Sequence, residues 1–161
     1  IFFEQTADDY REDQKAQIEK EATKIFLSTA EHVKGRKGLR ITENYGLEII
    51  QSDGTVEDLR SSGIEHIIAV SLIGALQATS PVKGPVVMDS PFGRLDMTHG
   101  DRVMNLLPEL APQVLLLATD RELPEGTASS ILDPSQIIGE RKLKKLTANQ
   151  TVLEPVGGGS R

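Results

Sequence analysis

Two short apolar runs, each closed by an aspartate, constrain this chain more than anything else in it. The first is Gly84-Pro85-Val86-Val87-Met88-Asp89-Ser90-Pro91, and the second is Gln113-Val114-Leu115-Leu116-Leu117-Ala118-Thr119-Asp120. Pro85 to Met88 and Val114 to Ala118 are too short for helices and apolar at successive positions, which is the pattern of central strands with both faces covered. A helical stretch, Thr98 to Leu107, lies between them. A strand–helix–strand order predicts parallel pairing by a right-handed crossover, hence an α/β fold with a parallel core sheet. In such sheets the ligand crevice lies beyond the C-terminal strand ends. Asp89 and Asp120 therefore fall on one edge, the edge where ligands bind.

The helix ahead of the first run is predicted from Ser61 to about Thr79. Ile64, Ile67, Ile68, Val70, Leu72, Ile73, Ala75 and Leu76 are apolar on nearly all sides, as in a buried helix, and Pro81 and Gly84 stop it. Upstream, Glu4 to Val33 reads as one helix without Pro or Gly. Ile18, Ala22, Ile25, Thr29 and Val33 form its apolar stripe, and charges crowd its first half, so it should start in solvent and end in a core. Its residues alone favour an amphipathic surface helix over the end of a coiled coil. Gly35-Arg36-Lys37-Gly38 breaks it. Leu39 to Thr42 and Leu47 to Gln51 read as a hairpin about Glu43-Asn44-Tyr45-Gly46. Beyond Pro124-Glu125-Gly126, Ser135 to Gly139 and Thr151 to Val156 read as edge strands, with basic Arg141 to Lys145 between them.

Length and charge narrow the function. The 161 residues suit one domain able to bury roughly 68–70% of its unfolded surface. A net charge of −6 argues against a protein held to nucleic acid by bulk charge. The absence of cysteine excludes disulfides, zinc-thiolate sites and thiol nucleophiles. No apolar run reaches the ~20 residues of a membrane span, and no signal-peptide pattern opens the chain, so a cytoplasmic setting without membrane is the expectation. The opening Ile1-Phe2-Phe3 and the Gly157-Gly158-Gly159-Ser160-Arg161 end read as a piece of something longer, with 157–161 a linker or tag remnant.

Several residues carry chemistry in combination. Ser61-Ser62-Gly63 stands where a loop becomes a helix, and a helix start offers free N–H groups and partial positive charge to an anion. Taken alone, the stretch reads better as a plain Ser N-cap with Gly63 inside the first turn, since N-cap serines are common. Asp89 at a strand end can hold Mg²⁺ directly or through water, or can simply open a turn. Asp96, in the loop Gly93-Arg94-Leu95-Asp96, reads as the cap of the next helix. Thr119-Asp120 closes the second strand.

The ordered set resembles the C-terminal lobe of the ATPase head of the SMC family, within the ABC-type, P-loop NTPases. Ser61-Ser62-Gly63-Ile64-Glu65 stands at the signature motif and Val86 to Asp89 at Walker B. Gly93-Arg94-Leu95-Asp96 stands at the D-loop and Ala118-Thr119-Asp120 at the switch. The segments Asp89 to Asp96 and Gln113 to Asp120 resemble most the DndD subgroup, SMC-like ATPases of bacterial DNA phosphorothioation. This likeness implies that residues 1–33 end a returning coiled-coil arm and that 34–156 are the head lobe. It implies ATP as substrate, with Mg²⁺ held by Asp89 through water. The catalytic edge is then Asp89, Ser90, Thr119 and Asp120. Ser61, Ser62 and Gly63 would serve the ATP of a second head in a homodimer.

Three positions depart from the family pattern. Ser90 stands where the general pattern has a glutamate that polarises water, Thr119 where it has a histidine, and Ile64 where it has Gln or Glu. Losing general-base help removes ~10²–10⁴-fold in rate, so a slow ATPase or a base from elsewhere is implied, with Asp96, His99 and Asp120 as local candidates. No G-x-x-x-x-G-K-[ST] loop occurs. In this family it lies on the N-terminal lobe, so that lobe is an implied partner, and the chain alone should not hydrolyse ATP. DNA is implied through the full complex, with Lys34, Arg36, Lys37 and Arg40 as weak contacts. Two alternatives stay open: a nucleotide-gated clamp with little hydrolysis, and an unrelated α/β domain for another phosphorylated ligand.

Overall fold

The computed structural model describes residues 2–30, 34–58 and 60–156. Helix α1 (Phe2–Thr29) runs unbroken; residues 5–13 are all exposed, while Ala22, Phe26, Thr29 and Ala30 are buried. It thus leaves solvent and enters a core, as its composition expects. The buried line differs from the expected stripe: Phe26 and Ala30 complete it, and Ile25 stays half-buried, reaching toward Gly74 of the next helix. Val33, the last member of the expected stripe, lies outside the described residues, as does the 157–161 tail.

Strands β1 (Arg36–Ile41) and β2 (Leu47–Gln51) pair antiparallel, with Leu39 opposite Ile49 and Arg40 opposite Glu48. The strand begins at Arg36, earlier than expected, because Gly35 at φ +89° makes the turn by itself. Leu39 and Ile49 face α1. The free edge of β1 is capped from that helix. Thr23 Oγ1 accepts from the Leu39 N–H (2.9 Å) and donates to the Leu39 carbonyl (3.1 Å), and Glu19 accepts from the Ile41 N–H (2.7 Å).

Helix α2 (Ser62–Thr79) is the central pillar. Ile64, Ile67, Ile68 and Ala75 pack with Ala22, Phe26, Leu39 and Ile49 in one cluster. Val70, on another side, joins a second cluster with Val86, Met88, Phe92, Val103, Met104, Leu107 and Leu110. Sandwiching between two cores is why its sequence is apolar on nearly every side. At 18 residues it is also long and apolar enough to cross a membrane, contrary to expectation, but here it packs against α1 and α3 as a core helix. Its C-terminal end is closed by the Ser80 N–H on the Leu76 carbonyl and by Lys83, whose ammonium donates to the Gln77 and Ala78 carbonyls.

Strand β3 (Val86–Asp89), helix α3 (Met97–Leu110) and strand β4 (Val114–Leu117) form the expected strand–helix–strand unit. The strands are parallel, with Val86 opposite Val114 and Asp89 opposite Leu117. Helix α3 continues past Pro108 to Leu110, three residues beyond the expected end, because Leu107 and Leu110 are both anchored in the second cluster. The expectation that both faces of these strands are covered is wrong for this chain. Val86 and Met88 are buried beneath α3, but Val87, Leu115 and Leu117 face solvent.

After a short helix α4 (Thr127–Ile131), Ser135 to Gly139 forms no strand. Asp133 and Gln136 make a reciprocal capping box around Pro134, which winds Pro134–Gln136 into a 3₁₀ turn. The basic segment is itself a strand: β5 (Arg141–Thr147) pairs antiparallel with β6 (Gln150–Pro155).

Candidate nucleotide site

The start of α2 meets the loop after β3. Ser61 is the N-cap, its hydroxyl accepting from the Ile64 N–H at 3.3 Å, and Ser61 and Ser62 are exposed. A Cβ at Gly63 would lie 3.3 Å from the Arg94 carbonyl oxygen, so the helix start and the Gly93–Asp96 loop touch within one lobe. Leu95, in that loop, packs against both apolar clusters and fixes its depth. Asp96 is the cap of α3: it accepts the His99 N–H (2.9 Å) and pairs with His99 Nδ1 (2.8 Å). The His99 N–H, then its ring, hold the Asp96 carboxyl below its ordinary value.

Asp89 is exposed at the C-terminal end of β3. Ser90 follows at φ 52°, a left-handed conformation costing about 1–2 kcal/mol outside glycine. It is held there by its own N–H, which donates to the Leu117 carbonyl at 2.7 Å and so ties the loop to β4. Among the described residues no three His, Asp or Glu side chains gather as a metal cage. Asp89 alone could hold a Mg²⁺ only together with other ligands, directly or through water.

Thr119 and Asp120 leave β4 on the same edge. Asp120 is drawn outward by Lys142 of β5 (3.0 Å), and the contact raises the Lys142 pKa. The residue that closes on Thr119 is Glu122. Its Oε2 accepts from the Thr119 N–H (3.1 Å) and hydroxyl (3.0 Å). A Cβ on Gly93 would stand 2.6 Å from Glu122 Oε1, so a side chain at this position in the loop after β3 would push the carboxylate aside. The Thr119 N–H is the main reason the Glu122 carboxyl titrates below its ordinary range, with the Thr119 and Ser90 hydroxyls and the Gly93 N–H adding to it. Ser90, Gly93, Thr119 and Glu122 are therefore one constellation. Glu122 escaped the sequence reading because it lies beyond the strand end, outside the motifs singled out there.

His66 is a second residue the sequence reading passed over. Burial lowers its pKa, against a hydrogen bond to the Pro91 carbonyl, which makes it a neutral link between α2 and the loop after β3. The basic residues near the hairpin are largely engaged. Arg36 makes two bonds to Glu57 (2.6 and 2.8 Å), and Arg40 binds Glu48, while Lys34 and Lys37 are exposed.

Solved structures share the fold. The fold is that of an SMC head domain. A chain from work on ATP-driven dimerisation and DNA-stimulated activation of SMC ATPases superposes with a TM-score of 0.64 at 16% identity, over 92% of this chain and 89% of that one. The Smc head bound to the C-winged-helix domain of ScpA gives 0.61 at 18% identity, over 88% of this chain and 43% of that one. The Smc head with coiled coil and joint from Pyrococcus yayanosii gives 0.61 at 17% identity, over 87% of this chain. This chain spans 26% of that last structure. No family model and no curated protein matches it. Within the SMC-head fold, β3 and β4 supply the parallel, P-loop NTPase-type element, and α2 presents its start to the same edge.

Proposed function

We propose that this chain is the C-terminal lobe of an ATP-driven SMC-like head. The carrying observation is the contact of the α2 start with the D-loop, beside a parallel strand that ends in Asp89, all on an SMC-head fold. A P-loop lobe completes the head by covering the open face of β3 and β4. Asp89 then orders the Mg²⁺-bound phosphates of its own head. Ser61, Ser62 and Gly63 meet the γ-phosphate on a second copy, where a helix start stabilises an anion by ~0.3–1 kcal/mol, and up to ~2 when partly buried. That contact exists only with ATP, so nucleotide clamps two heads and hydrolysis parts them. The output is movement of coiled-coil arms on DNA in the cytoplasm, in modification of the DndD kind, in repair or in defence.

A clamp with little hydrolysis is the second reading, favoured by Ser90 and Thr119, neither of which is an acid or a cation. Turnover by the complete head decides between them. The ATPase reading expects measurable phosphate release that Asp89→Asn abolishes, and Ser62→Arg should block ATP-driven dimerisation while leaving ATP binding intact. Phosphate release equal to that of Asp89→Asn would leave only the clamp.

A further inference from the structure

We propose that Glu122 is the carboxylate that acts on the attacking water, in place of an acid at position 90. The inference rests on the ATPase reading above and supplies the base that reading lacks. Its two oxygens are in unlike positions. Oε2 is fixed by two donors of Thr119, and the Glu122 N–H returns to the Thr119 carbonyl at 3.0 Å, so the side chain cannot swing freely. Oε1 is buried and has no hydrogen bond of good geometry. It lies against Gly93, with the Ser90 hydroxyl close enough to favour the ionised form.

A buried carboxylate oxygen whose neighbouring donors, the Ser90 hydroxyl and the Gly93 N–H, are poorly aligned is costly, and a water molecule that donates to it removes the cost. The other candidates are engaged. Asp96 is bound to both the N–H and the ring of His99, and Asp120 is bound to Lys142. Glu122 instead bridges the loop after β3 and the loop after β4, on the edge to which the ATPase reading assigns the phosphates. In the step, the water oxygen bonds to the γ-phosphorus as the bond to the β–γ bridging oxygen breaks. Glu122 takes one water proton and returns it to the released phosphate, leaving ADP and inorganic phosphate. Gly93 covers Oε1, so the position of the D-loop decides whether water reaches the base.

The test uses the complete head, this lobe with its P-loop lobe, and reads kcat, KM and ATP-driven dimerisation for wild type, Glu122→Gln, Gly93→Ala and Asp89→Asn. Glu122→Gln should lower kcat by at least ~10²-fold with KM and dimerisation unchanged, as expected for loss of a general base. Glutamine keeps an oxygen to accept from Thr119, so a merely structural clasp would survive the change. Gly93→Ala, which presses on Oε1, should also lower kcat. A Glu122→Gln head within about tenfold of wild type, with Asp89→Asn inactive, overturns the proposal and leaves the ATPase reading standing. A Glu122→Gln head with raised KM and no ATP-driven dimerisation assigns the carboxylate charge to nucleotide binding and assembly rather than to the chemical step, and also overturns it. Wild-type turnover no greater than that of Asp89→Asn removes the ATPase reading and this inference together.

Discussion

The β1–β2 hairpin and the β3–β4 pair are both two-stranded, yet they are finished to different degrees. The hairpin is closed by its own chain. Its inner face lies on α1 and α2, and the free edge of β1 is capped by Thr23 and Glu19. The parallel pair is covered on one face only. Val87, Leu115 and Leu117 are 61%, 53% and 41% exposed, and no such side-chain caps are seen on its strands among the described residues. Parallel sheets are almost always covered on both faces. The hairpin is therefore a self-contained stabilising element, whereas the parallel pair leaves one apolar face open. The loops that carry Asp89 to Asp96 and Thr119 to Glu122 both leave the open pair.

That contrast can be broken by mutation. Phe26→Ala, at the centre of the hairpin cluster, should cost ~3–5 kcal/mol, read from the denaturation midpoint. Arg36→Met should cost ~1–3 kcal/mol, because Glu57 loses its partner where both side chains are only 16% and 15% exposed. The pair also sets a pH dependence. The Arg36 hydrogen bond is the main cause holding the Glu57 carboxyl below its ordinary 4.5. A depressed carboxyl gives stability that is present above that value and is lost as pH falls through the folded pKa. Wild type should therefore lose more stability than Arg36→Met on acidification below about 4.5, in urea titrations run across that range. On the open face the sign of the lesson changes: Leu115→Lys should shift stability by less than about 0.5 kcal/mol but prevent co-purification with a P-loop lobe. A large loss of stability there would mean the face is already covered. Smallest of all, Lys142→Ala should leave the denaturation midpoint where it is, since both partners of the Asp120 contact are largely in water.

The strand–helix–strand unit was legible because its patterning is local: Val86 to Met88 and Val114 to Leu117 could hardly be anything but strands, and the intervening helix settles their direction. The cap roles of Ser61 and Asp96 were legible for the same reason. What failed depends on partners distant in the chain. The open face of β3 and β4 is invisible in sequence, since a strand awaiting a layer and a strand already covered are equally apolar. Arg141 to Lys145 looked like a basic connector because every residue of β5 is exposed, so no apolar alternation marks it as a strand. Arg36 looked like a DNA contact until the fold brought Glu57 against it, 21 residues away. Glu122 has no motif at all; only the return of β4 beside β3 places it at Gly93.

Helix α1 has a mechanical consequence. It is gripped by α2 from about Ile18 onward, while residues 5–13 touch nothing that shields them from solvent. At 1.5 Å per residue the ungripped part is a stiff rod of about 24 Å. The helix that grips it begins at Ser61, beside the D-loop. A tilt of about 5° in α2, transmitted to α1, would sweep the tip of that rod by about 2 Å. Movement at the loop after β3 would thus be magnified along the exposed half of α1.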